Sequence, residues 1–228
     1  MGNGSVEVTH NFFYAILIGT KTTLEVSFSS LLIGLALGLC LATAELQPSP
    51  LRYISYSWNL LIRGLPEIFV IFACYYGVTL LLTTMVGHYV DVNAFGSGVV
   101  ALSIIFAAYA SQILIAAYHA IPQGERLAAK SLALSPITTL IKIILPQLWR
   151  HALPGLLNLW LILLKDSSIV SLIGLKEIMS ATHVAAAESF KPFTYYLFAA
   201  LIYLSLTSLS SMLSQFIEKR FHDSVTHA

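Results

Sequence analysis

Five stretches of this chain are long and apolar enough to cross a lipid bilayer, and they take up most of its length. A helix needs about 20 mostly apolar residues to cover the hydrocarbon core. Segments at about 12–44, 54–86, 96–118, 152–175 and 193–217 meet that requirement. The first two exceed one crossing, so they are expected to tilt, bend or extend beyond the bilayer. Charged residues make up only 10% of the chain, against roughly a quarter in a soluble domain. The expected fold is therefore an all-α membrane protein with five transmembrane helices. No long linker, low-complexity tract or internal repeat divides it, so residues 1–228 read as one domain. Cys40 and Cys74 both sit inside apolar runs and read as helix-packing residues rather than a disulfide. The first eleven residues carry Glu7 and no Lys or Arg, so no secretory signal peptide is expected. A net charge of +1 gives no basic field for nucleic acid.

Lys and Arg set the expected orientation, because cytoplasmic segments collect them. With the amino terminus outside, the inner segments hold Arg52, Arg126, Lys130, Lys142, Arg150, Lys219 and Arg220. The outer segments then hold only Lys176 and Lys191. This favours a periplasmic amino terminus and a cytoplasmic carboxy terminus.

Ionisable residues at bilayer depth are costly and need a partner or a purpose. Lys21 and Glu25 are four residues apart on one helical face and can pair near the outer end. Arg63 and Glu67 share the same spacing, but Gly64 and Pro66 lie between them. Proline removes a backbone donor, so a kink or unwound turn is expected there. Irregular backbone at this depth is tolerated where it lines a cavity. Lys165 and Asp166 interrupt the fourth span and, being adjacent, point about 100° apart. Counted from the inner ends at about 1.5 Å per residue, Glu67 lies roughly 20 Å in and Asp166 roughly 20–25 Å in. The two carboxylates are thus expected at similar depth, where a cation between them would relieve their repulsion. The alternative is two separate structural pairs, Arg63 with Glu67 and Lys165 with Asp166.

The longest inner segment, between spans three and four, reads as a hairpin over 121–146. A turn at Ile121-Pro122-Gln123-Gly124 leads into a short amphipathic helix carrying Leu127, Ala128, Leu132 and Leu134. Ser135-Pro136 marks a fresh helix start, with Ser as N-cap and Pro at the first position. This second helix is expected to run to about Ile144 and stop before Pro146. Small Ala128 and Ala129 would let another backbone approach. A plain amphipathic helix on the membrane surface is the other reading.

These motifs resemble the transmembrane permease subunits of ABC importers of the polar amino-acid uptake family. The family's cytoplasmic EAA loop is matched by Ile121-Pro122-Gln123-Gly124, Leu127-Ala128-Ala129, Ala133 and Ile144-Leu145-Pro146-Gln147. Leu127 stands where the family usually has Glu, and Ala133 where it usually has Gly. Gly19-Thr20-Lys21-Thr22-Thr23-Leu24, Arg63-Gly64-Leu65-Pro66 and Leu163-Leu164-Lys165-Asp166-Ser167-Ser168 match further family motifs in the right order. Gln112, in Tyr109-Ala110-Ser111-Gln112, replaces a usual Glu and looks like the arginine permease branch.

The resemblance implies a division of labour. A periplasmic binding protein delivers the amino acid. Two permease subunits form the path, a heterodimer being favoured and a homodimer possible. A dimer of ABC ATPase subunits binds ATP and Mg and grips the hairpin through Leu127, Ala128, Ala129, Leu132, Ala133, Leu134 and Ser135. The chain has no Gly-x-x-x-x-Gly-Lys-Ser/Thr loop, so no nucleotide, cofactor or catalysis of its own is expected. Candidate substrate residues are Glu67, Asp166, Gly64, Gln112 and Ser168. Arginine is the favoured cargo, with histidine, lysine, glutamine and cystine as alternatives. An intramembrane enzyme is disfavoured, since no His-Glu-x-x-His or metal-ligand spacing occurs. A channel or carrier acting without an ATPase is the remote rival, and the five unrepeated spans speak against an inverted-repeat carrier.

Overall fold

A computed structural model describes the backbone of residues 3–226 and the side chains of residues 11–220. The side chains of the polar amino-terminal stretch, Glu7 included, lie outside the described residues. Among the described residues the regular structure is entirely helical. It comprises α1 (Asn3–Leu46), α2 (Pro50–Gly64), α3 (Glu67–Val86), α4 (Ala94–Ala120), α5 (Gln123–Ser131), α6 (Pro136–Ile173), α7 (Ile178–Ser189) and α8 (Pro192–Thr226). Five of them, α1, α3, α4, α6 and α8, are long and apolar enough to cross a membrane.

The centre is α4, buried along most of its length. In lipid there is no water-driven force pressing helices together, so close packing of small residues takes its place. Ser30, Gly34 and Gly38 recur every four residues and form one stripe on α1. This stripe seats on Ser103, Phe106, Ala107 and Ala110 of α4. A Cβ on Gly34 would lie 2.9 Å from Phe106 Cδ1 and 3.0 Å from the Ser103 carbonyl oxygen. A Cβ on Gly38 would lie 3.1 Å from that of Ala110. The Ser30 hydroxyl donates across the seam to the Val99 carbonyl at 3.3 Å. On its other side α4 meets α6 with the same device, Gly98 against Val170 and Ile113 against Gly155.

The expected second span, 54–86, divides in two. Leu65 (φ −95°, ψ 143°) and Pro66 (φ −58°, ψ 137°) are extended and separate α2 from α3. A residue before proline is pushed out of the helical region, and proline itself offers no donor. The crossing segment is thus Glu67–Val86. Helix α2 is inverted relative to a soluble amphipathic helix. It buries Ser55 and Asn59 and exposes Tyr53, Ile54, Trp58 and Leu61. Its polar face bonds to α1: Ser55 donates to the Leu41 carbonyl at 2.9 Å, and the Asn59 amide nitrogen to Glu45 at 2.9 Å.

A second correction concerns Pro146. The helix that starts at Pro136 does not stop there; it continues into the fourth span as one run to Ile173. The stretch Leu140–Ile144 is a π turn, in which the Leu145 amide donates to the Leu140 carbonyl five residues back. That widened turn makes room for a proline ring that would collide with the carbonyl four residues earlier in a regular α-helix. After Asp166 the same run tightens to a 3₁₀ helix over Ser167–Ile173 and ends at Gly174 (φ 86°).

Beyond that turn, α7 is fastened by Glu177, which is fully buried. Its carboxylate caps α7 by accepting from the Ser180 amide at 2.7 Å, and accepts from Tyr203 of α8 at 3.1 Å and Thr23 of α1 at 3.4 Å. Burial pushes this carboxyl above the usual carboxylate range. Gly19 permits the contact, since a Cβ there would lie 2.7 Å from the Glu177 backbone carbon.

The expected helix start at Ser135 is present: its side chain accepts from the Thr138 amide at 3.1 Å, with Pro136 at the first turn. The turn before it places Ala133 at φ 51°, a left-handed conformation.

Two predictions follow from packing and backbone. Gly19→Ala and Gly34→Ala should each lower thermal stability in detergent by about 1–3 kcal/mol, because backbone atoms oppose the added methyl. Gly96→Ala, which meets nothing within 4 Å, should stay within about 1 kcal/mol of the parent and lean towards stabilisation. Equal losses at all three positions would refute the seam. Ala133→Gly should raise stability by about 0.5–1 kcal/mol, the left-handed cost of alanine less the added freedom of glycine in the unfolded chain. Thermal denaturation of the purified variant reads this directly.

Candidate functional site

Helix α4 places Leu102, Ile105, Phe106 and Tyr109 along one face, because residues three and four apart stack on one side of a helix. Opposite them stand Leu159 and Leu163 of α6. Together they wall a cavity of about 270 Å³. Two polar side chains enter it: Glu67, at the first turn of α3, and Asp166, where α6 changes from α to 3₁₀ geometry. The two carboxylates expected at similar depth therefore share one chamber.

Neither acid has an ion pair among the described residues. Among the described residues the one salt bridge is Lys21–Glu25, at 3.6 Å on an exposed face, as its spacing led us to expect. The alternative pairs do not form. The extended residues Leu65 and Pro66 take Arg63 off the face of Glu67, and the Arg63 guanidinium instead lies over the Tyr109 ring, 5.7 Å from its centroid. Lys165 opens on the other side of α6, into a separate depression with Tyr196 and Tyr203.

The remaining substrate candidates lie elsewhere. Ser168 lines the Lys165 depression rather than the acidic cavity. Gln112 faces α1, donating its amide to Glu45 at 3.3 Å beside the Asn59 contact. Gly64 ends α2, with open space where a side chain would be. In the sequence, Tyr109 stands out only inside the motif Tyr109-Ala110-Ser111-Gln112, and Phe106 only as part of the third apolar span, a signal shared with any membrane helix.

The hairpin forms a second candidate surface. Leu127 is 61% exposed and Leu132 73% exposed, and Leu134, Ile137 and Ile141 join them. Ala128, Ala133 and Ser135 are exposed too. Ala129 is not; it is buried inside the chain at 1% exposure. Close approach by another protein is thus open at Ala128 and closed at Ala129, which corrects the expectation for the pair. The base of the hairpin is pinned to its own chain. Arg126 donates to the Tyr118 carbonyl at 2.7 Å with its guanidinium 3.9 Å above the Tyr118 ring. The Gln147 amide donates to Glu125 and to the Ile143 carbonyl.

The family described as binding-protein-dependent transport system inner membrane component matches residues 32–223. The arginine ABC transporter permease protein ArtQ of Haemophilus influenzae is 43% identical, over 92% of this chain and 95% of its own. ArtQ of Escherichia coli K12 is 37% identical, over 92% and 94%. The crystal structure of an amino acid ABC transporter with histidines superposes with a TM-score of 0.83 at 28% identity, over 92% of this chain and 95% of that one. The MetNI methionine ABC transporter shares the fold at a TM-score of 0.67 and 15% identity. With the apolar helices and the motifs in order, these matches mean that the chain belongs to the binding-protein-dependent transport system inner membrane components, as a multi-pass permease subunit of an ABC transporter.

Proposed function

We propose that this permease carries a cationic amino acid, arginine first among them, into the cytoplasm, and that Glu67 and Asp166 hold it midway. The observation that carries the reading is the pair of carboxylates in one cavity with no cation paired to them among the described residues. Uncompensated charge away from water is costly, and a bound cation removes that cost. The arginine permeases named above support the choice of cargo.

The rest of the machine is proposed with it. A periplasmic binding protein delivers cargo from the side of the amino terminus. A second permease subunit completes the path. A pair of ATPase subunits, holding ATP and Mg, covers the exposed face of the hairpin on the cytoplasmic side. Leu127 takes the place of the family's usual Glu, so the joint rests on apolar packing of Leu127, Leu132 and Leu134 rather than on a salt bridge from that position. Ala133 and Ser135 set the turn between α5 and α6.

Asp166→Asn should reduce both arginine uptake and arginine-stimulated ATP hydrolysis by about tenfold or more in reconstituted vesicles, as expected for losing one charged partner. Unchanged values would remove Asp166 from the path. Ala128→Trp should leave the thermal stability of the permease close to the parent, since the side chain is exposed, while lowering cargo moved per ATP hydrolysed. Normal stoichiometry in that variant would count against the hairpin as the point of grip.

A further inference from the structure

We propose that Arg63 is the anchor for the α-carboxylate of the cargo, making it a specificity-determining residue for free amino acids over amines; this rests on the cargo reading just given. The starting point is an arginine without its expected partner. On an unbroken helix Arg63 and Glu67 would share a face, but the extended residues Leu65 and Pro66 separate them. Among the described residues no carboxylate pairs with Arg63. Its guanidinium rests over Tyr109, whose ring is part of the cavity wall. The cation therefore lies against a residue that walls the chamber holding the two acids.

A cation–π contact at this distance takes up none of the guanidinium's N–H donors, so they stay free for another partner. The guanidinium fork matches a carboxylate with two parallel hydrogen bonds. A lysine at this position would lack this planar fork.

Charge counting points the same way. A free basic amino acid carries two cations, the α-ammonium and the side chain, and one anion, the α-carboxylate. The chamber and the cation against its wall offer the complement: two carboxylates and one guanidinium. Without Arg63, the α-carboxylate of the cargo would face only Glu67 and Asp166, two like charges inside apolar walls, where repulsion is poorly screened. Lys165 does not fill this role, because it opens into the depression beyond α6. A cationic amine lacking the carboxylate gains from the two acids alone. The arrangement thus separates amino acids from decarboxylated amines of the same side chain.

The test uses the assembled importer in nanodiscs without its binding protein, so that the membrane site alone is read. Binding of radiolabelled arginine is competed by arginine, by arginine amide and by agmatine, the last two lacking a carboxylate. The parent should prefer arginine by about tenfold or more, the scale of a charge-assisted pair. Arg63→Gln should weaken arginine to the level of the other two while leaving agmatine binding unchanged. Arg63→Lys, which keeps the charge and offers a milder change should the first variant assemble poorly, should fall between. Equal weakening of arginine and agmatine in both variants, or no weakening in either, overturns the proposal. Asp166→Asn, run alongside, separates the two levels. It should weaken all three ligands; if it weakens none, the cargo reading falls and the role of Arg63 falls with it.

Discussion

The close approach of α1 to α4 is the contact on which the rest of the architecture depends. Two glycines and a serine at four-residue spacing let the helices touch backbone to side chain, and larger residues at Gly34 or Gly38 would hold them apart. That seam fixes the rotation of α4 about its own axis. Ser103, Ala107 and Ala110 turn towards α1, and the neighbouring stripe of Leu102, Ile105 and Tyr109 then faces the acidic cavity. A helix has no freedom to satisfy one stripe without placing the next. The third side of α4 meets α6 through Gly98 against Val170 and Ile113 against Gly155, which brings Asp166 alongside. The polar site is thus positioned by small apolar contacts distant from it in sequence and chemically unrelated to it.

Prolines show how far local sequence carries this fold. Pro136 after Ser135 was legible as a helix start because capping is a property of adjacent residues, and the Ser135–Thr138 hydrogen bond has the expected form. The break at Pro66 was legible because Gly64 weakens the same turn. Pro146 was not, because the rule that a helix stops before proline assumes α geometry. The π turn at Leu140–Ile144 changes that geometry, and no neighbouring residue type announces it. The same limit hid Glu177. Its partners Thr23 and Tyr203 lie 154 and 26 residues away, so a residue read as part of an outer loop became the fastening of three helices.

The candidate site was half legible for a related reason. Depth along a span follows from counting residues, so Glu67 and Asp166 were placed together without knowing the fold. Direction around a helix axis does not follow from counting alone. Gln112 therefore turned out to serve Glu45 on α1, and Ser168 to face the Lys165 side of α6. Ala128 and Ala129 differ by one residue, hence by about 100° around α5, and one is exposed while the other is buried.

The correction at Pro146 has a mechanical consequence. Because Pro136–Ile173 is one helical run, the exposed Ile137 and Ile141 of the hairpin and the acid Asp166 belong to the same rod. From Pro136 to Asp166 it extends about 45 Å at 1.5 Å per residue. A push on the hairpin need not pass through a loop to reach the cavity. Two points on the rod are softer than the rest: the π turn, where hydrogen bonds span five residues, and Pro154, which leaves a carbonyl one turn earlier without its donor. Bending at either point would swing Asp166 relative to Glu67, which belongs to a different helix and is anchored across the break at Pro66. The separation of the two carboxylates is then a direct function of the hairpin's position. A fully α-helical rod would transmit rotation and translation without changing shape; a loop at Pro146 would transmit neither. The π turn lies between these extremes, so a displacement of the hairpin both reaches Asp166 and changes its angle to Glu67.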